Sequence, residues 1–152
     1  MRKVIRLLIT PQTHVRTTQG DRWYFRIPRN KLRAAGLKRL ERIERYNQYK
    51  IDLLALCKSK SFTLPSQGLC ITYFIPVPKA WSKKKKALYH GTLHQNTPDI
   101  DNLVKATFDS LTGDDKYIGH IGSICKRWVN FDTGYIEFEV IEPILKQISI
   151  PL

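Results

Sequence analysis

The segment from Pro98 to Gly113 constrains the fold most. Within it Ile100, Leu103, Val104, Phe108 and Leu111 recur at i, i+3, i+4, i+8 and i+11, the spacing that gathers apolar side chains on one face of an α-helix. Gly113 suits the stop. The pattern predicts a helix over 98–112 that must bury its stripe against other elements. In a chain of 152 residues, those elements belong to a single core. Hydrophobic residues make up 42% of the chain, which is too many for a disordered one.

The remaining elements follow from shorter signals. Lys3 to Ile9 is rich in aliphatic and β-branched residues, and Pro11 closes it, so a strand is expected. Trp23 to Ile27, stopped by Pro28, reads as a second strand forming a hairpin with the first. Of Tyr24 and Phe25, one should face the core. Leu37 to Lys58 reads as a helix with Leu40, Ile43, Ile51 and Leu54 near one face. Leu69 to Val77 reads as a core strand, and residues 79–97 as a long polar loop. Ile118 to Val129 and Tyr135 to Val140 read as strands, joined as a hairpin by Asn130–Gly134. The expected architecture is one α/β (α+β) domain over residues 1–152, with a single mixed sheet and two helices in the order ββαβαββ.

Charge narrows the partners. Lys and Arg number 26 against 13 Asp and Glu, giving a formal net charge of +13 and a pI near 9.9. Such an excess attracts polyanions, nucleic acid first among them. A membrane surface is the competing partner, but no long basic amphipathic helix supports it. No apolar run approaches the roughly 18 residues of a membrane span. The short N-terminal apolar run is interrupted by Arg6 and reads as a strand rather than a signal peptide. Cys57, Cys70 and Cys125 are odd in number and far apart, the pattern of a reduced cytoplasmic protein with buried thiols. No Gly-rich phosphate loop is present, so no nucleotide cofactor is expected.

In so basic a chain the acidic residues of PDIDN at 98–102 and GDD at 113–115 stand out. Asp99 and Asp101 open the predicted helix, and Asp114 and Asp115 lie just past its end. Lys105 lies one turn after Asp101, on the face opposite the apolar stripe. A purely structural account is available for each: Asp99 as an N-cap, Asp101 as a first-turn acid complementing the helix dipole or as a surface pair with Lys105, Asp114 and Asp115 as turn formers. Taken together, hard carboxylate ligands beside an ammonium suit a magnesium ion poised on a phosphodiester. A metal also supplies the countercharge that lets carboxylates approach DNA.

The run P-D-I-D-N-L-V-K, the helix end F-D-S-L, then D-D, then K-R-W resembles the signature of the RusA family of Holliday junction resolvases. The upstream F-I-P-V-P-K-A-W-S-K-K-K-K and H-G-T-L-H resemble phage and prophage members. The likeness runs from about residue 71 to residue 140. It implies an Mg²⁺-dependent endodeoxyribonuclease, with Mn²⁺ as a substitute, acting as a homodimer on four-way junctions, a form of branched DNA, in recombination and repair; the rival readings are a nuclease for flaps or forks and a non-catalytic DNA-binding module. The setting it implies is the cytoplasm of a bacterium or its phage. The family's metal ligands map onto Asp99, Asp101 and Asp115, and its essential lysine onto Lys105; Asp114 is supporting. Thr97 departs from the basic residue that relatives often place before the proline. Lys83, Lys84, Lys85, Lys86, His94 and Lys126 are candidate DNA contacts, whereas Trp81 and Trp128 are expected to pack.

Overall fold

The computed structural model describes residues 2–141, so the expected domain span of 1–152 runs past it at both ends. The elements in chain order are β1 (Lys3–Leu7), α1 (Asp21–Arg26), α2 (Ala34–Ser59), β2 (Leu69–Pro76), α3 (Lys83–Tyr89), α4 (Ile100–Leu111), β3 (Ile121–Val129) and β4 (Tyr135–Val140). Short 3₁₀ turns lie at Arg29–Lys31 and Asp115–Tyr117. The class is α+β with one mixed four-stranded sheet in the order β1-β4-β2-β3. Among the described residues there are four α-helices and four strands rather than the expected two and five.

Both expected hairpins are absent. Trp23 to Ile27 forms no strand, because its start is built into a helix. Asp21 is buried, accepts from the Thr18 amide at 2.7 Å, and receives the Arg39 guanidinium at 2.9 and 2.8 Å. That clamp fastens α1 to α2. Tyr24 is half-buried over Gly36, where an added Cβ would come within 2.8 Å of its ring, and Phe25 stays 52% exposed. At the other end, β4 does not pair with β3. It crosses over the end of β2 and pairs antiparallel with both β2 and β1, while β3 runs parallel to β2. Gly134 makes the crossing possible: a Cβ there would lie 2.4 Å from the Phe74 carbonyl oxygen.

The core lies between one sheet face and the two long helices. Ile5, Leu7, Leu69, Ile71, Tyr73, Ile136 and Phe138 point into it from the strands, alternating with outward residues such as Arg6 and Glu137, which pair at 3.0 Å. Helix α2 buries Leu40, Ile43, Tyr46, Tyr49, Leu53 and Cys57, an i, i+3/i+4 stripe completed by tyrosines. Ile51, expected on that face, is 62% exposed. In α4 the deepest positions are Leu103, Ala106, Thr107 and Ser110, with Val104, Phe108 and Leu111 packed at the margin. Small residues let α4 sit close to α2 and the sheet. Thr107 and Ser110 return their hydroxyls to the Leu103 and Ala106 carbonyls, and Thr107 meets the Tyr73 hydroxyl at 2.8 Å. The buried hydroxyls of α4 are thereby satisfied.

Candidate active site on helix α4

The loop before α4 is fixed by the outer edge of β3. Gly91, Thr92 and His94 exchange backbone hydrogen bonds with Trp128 and Lys126, covering what would otherwise be a free edge. The Lys126 side chain then reaches forward, and its ammonium donates to the carbonyls of Asn96 at 2.8 Å and Pro98 at 2.6 Å. Lys126 therefore holds the backbone leading into Asp99, a different role from the DNA contact expected of it. His94 is also corrected: it is 3% exposed, with its ring 3.9 Å from that of Trp128. Burial and the nearby Lys126 charge lower its pKa. At this burial the imidazole is not presented on the surface, where a phosphate contact was expected. Trp81 and Trp128 pack together as expected, 5.1 Å between rings.

Asp99 occupies the N-cap position of α4, yet its side chain makes no capping hydrogen bond. Asp101 and Lys105 do not form the i,i+4 ion pair. Among the described residues, the side chains of Asp99, Asp101, Lys105 and Asp115 are all exposed and have no hydrogen-bond or ion-pair partner. Neither the Asp99 cap nor the Asp101–Lys105 pair forms, although Asp101 sits in the first turn of α4 and Asp115 opens the following 3₁₀ turn. Asp114 differs, because it caps the following 3₁₀ turn through the Lys116 amide and pairs with the Lys116 ammonium at 2.7 Å. It is a turn former.

Asp115 is not brought to Asp99 and Asp101. Helix α4 has 12 residues and is about 18 Å long. Its start is tied to Lys126, while the chain beyond Asp115 is tied to the start of β2, where the Gly119 amide bonds Ser66 and the Gly68 amide bonds His120. Ile121, the first residue of β3, lies opposite Leu69, about 17 Å along the strand from Lys126. Among the described residues, no three His, Cys, Asp or Glu side chains cluster as ion ligands. At the start of α4, Asp99 and Asp101 offer two unengaged carboxylates, a donor set suited to a magnesium ion that keeps most of its water.

A basic cleft opens beside this face. About 930 Å³ in volume, it is lined by Arg16, Arg22, Lys50 and Lys105, with His14 and Asp109 also on its wall. A second cleft of about 510 Å³ places Arg42 and Arg45 of α2 beside Thr97 and Pro98, so α2 supplies cations where the loop lacks one. On α3, Lys83 and Lys84 are exposed, Lys86 is half-buried, and the Lys85 ammonium lies 4.1 Å from the Trp81 ring centroid. One lysine of the run is therefore engaged in packing.

Sequence reasoning missed Asp109 and His14. The His14 Nε2 lies 3.0 Å from Asp109 Oδ2, and the Tyr46 hydroxyl points at the same oxygen from 3.5 Å. Burial lowers the His14 pKa; Asp109 opposes this, while Lys105, Lys50 and Arg16 reinforce it. Burial, helped by Asp109, pushes Tyr46 up to about 12. Asp109 had a signal, since it falls one turn after Lys105. His14 had none, being an isolated histidine in a polar connection.

The family model for endodeoxyribonuclease RusA matches residues 23–121. This chain belongs to the RusA endodeoxyribonuclease family. The match reaches further toward the N-terminus than the motif resemblance and takes in the last four residues of α1, all of α2, the acidic residues of α4, Lys105 and the lysine run. It stops at the first residue of β3, so Lys126 lies beyond it. A search of curated proteins finds no match. Membership in the RusA family makes the chain an enzyme that cuts DNA. Among the described residues, no helix is long and apolar enough to cross a membrane.

Proposed function

We propose that this RusA-family enzyme is an Mg²⁺-dependent resolvase that hydrolyses phosphodiesters symmetrically in four-way DNA junctions, serving recombination and repair in the cytoplasm of a bacterium or its phage. The observation that carries the reading is the α4 face itself. Two carboxylate side chains at its start and an ammonium one turn on are exposed without protein partners, and that ammonium lines a cleft together with Arg16, Arg22 and Lys50. Asp99 and Asp101 hold the ion. When bound, Mg²⁺ polarises a phosphoryl oxygen and lowers the pKa of a coordinated water. Lys105 contacts the phosphate as charge builds on its oxygens, where a preorganised donor contributes most. Arg16, Arg22 and Lys50 position the strand by its phosphates.

The resemblance assigns Asp115 to the same ion. Its place at the far end of α4 leaves the present reading resting on Asp99, Asp101 and Lys105. A homodimer suits the substrate, because a four-way junction has two symmetry-related strands to cut.

The test is incubation with synthetic four-way junctions, forks, flaps and linear duplexes, with Mg²⁺, with Mn²⁺, and with chelator. Paired symmetric nicks in the junction, dependent on the divalent ion, support the reading. Preferential cutting of flaps or forks would replace the junction as substrate, and undiminished cutting in chelator would remove the metal.

A further inference from the structure

Lys105 and Asp109 stand one helical turn apart on α4 and both line the basic cleft. Opposite charges at this spacing ordinarily find one another. Here no ion pair joins them, and the Asp109 carboxylate is turned instead to His14 at 3.0 Å and toward the Tyr46 hydroxyl. The imidazole is itself held in place. The His14 amide donates to the Asn102 carbonyl at 3.1 Å, and its ring stands edge-on to Tyr46 at 5.7 Å. The charged groups facing His14 are Asp109, Lys105, Lys50 and Arg16, so Asp109 is the only anion among them. A free Asp109 would have Lys105 within its range.

We infer that His14 and Asp109 are positioning residues for Lys105: His14 engages the Asp109 carboxylate and thereby keeps the Lys105 ammonium available to the phosphate. The inference rests on the role proposed for Lys105. It adds a reason for Asp109, which shares the cleft with the Arg39-clamped Asp21, to be in a surface proposed to bind a polyanion. Asp109 anchors the 11–19 segment, which carries Arg16, to α4, and its charge is kept from Lys105 by that same bond.

The size of the effect follows from the competing pair. An exposed ion pair is worth about 0.2–1 kcal/mol, so diverting Lys105 should slow cleavage about two- to fivefold. The experiment is single-turnover cleavage of a labelled junction by the wild type, His14→Ala, Asp109→Asn, the double variant and Lys105→Ala, beside gel-shift titration in chelator. His14→Ala should cut more slowly with little change in junction affinity. The double variant should recover the rate of Asp109→Asn, because no carboxylate remains to capture Lys105. His14→Gln, which retains a donor, should restore much of the rate and guards against a folding defect in His14→Ala. A double variant as slow as His14→Ala or slower would overturn the inference and make the pair a packing element. Wild-type cleavage by Lys105→Ala would overturn it by another route, removing the proposed role of Lys105 itself.

Discussion

The Lys126 ammonium donates to the Pro98 carbonyl oxygen at 2.6 Å, so a strand side chain sets the peptide from which Asp99 projects. Replacing Lys126 with Met keeps much of the stem but leaves two carbonyls unpaired. Hydrogen bonds to a charged group are worth about 1.5–3 kcal/mol, and a loss of stability near that size is expected. Single-turnover cleavage should fall while junction affinity changes little. Unchanged cleavage in a folded Lys126→Met enzyme would show that Asp99 is placed without this brace.

Asp101 to Asn should abolish cleavage and leave junction binding intact or tighter, since it removes a ligand and also a charge that repels DNA. Asp99 to Asn should behave alike. Asp114 to Asn should be far milder, because that carboxylate serves the Lys116 turn. Gel-shift and cleavage assays on the same preparations separate these outcomes. Near-normal cutting by Asp101→Asn would remove it from the metal site.

Lys105 to Ala should lower the rate about 10²-fold, by analogy with removing a preorganised donor. Its effect on stability should stay within about 0.5 kcal/mol, as for an exposed side chain without a partner. Equal losses in rate and affinity would make Lys105 a binding residue.

Lys83 and Lys84 should carry most of the DNA binding of α3, because Lys85 is stacked on Trp81. Neutralising both should reduce the dependence of log affinity on log salt by roughly 0.9 for each phosphate that a lysine no longer neutralises. Neutralising Lys85 should instead show as a loss of thermal stability. An unchanged salt slope in Lys83→Gln/Lys84→Gln would mean that α3 is a solvated helix away from the DNA.

Asp21 sets an acid limit. The Arg39 guanidinium and then the Thr18 amide hold its carboxyl well below the usual carboxylate range. A depressed folded-state pKa gives stability that is present above the unfolded value, about 3.9, and is lost as pH falls toward the folded one. Asp21→Asn should therefore be less stable at neutral pH and lose less on acidification below about pH 4. Denaturant melts across that range measure it. Parallel acid profiles for the two proteins would show that the clamp does not contribute.

The sequence by itself determined what depends on near neighbours. The stripe from Ile100 to Leu111 located α4 to within two residues at each end. The order of Asp99, Asp101 and Lys105 placed two acids and a base on its outward side, and the acidic motif pointed to the RusA family. These are legible because a helix converts spacing of three and four directly into shared faces. What only the tertiary structure decided involves residues far apart in the chain. Trp23 to Arg26, aromatic and strand-like in composition, became helical because Asp21 is locked to Thr18 and Arg39. β4 entered the middle of the sheet because Gly134 can pass close over β2. His94 was buried against Trp128, and His14, from the connection before α1, met Asp109 on α4. Asp115, close to Asp101 in sequence, ended at the opposite end of a rigid helix. No local pattern encodes such distances, because they are fixed by which surfaces the whole chain can bury at once.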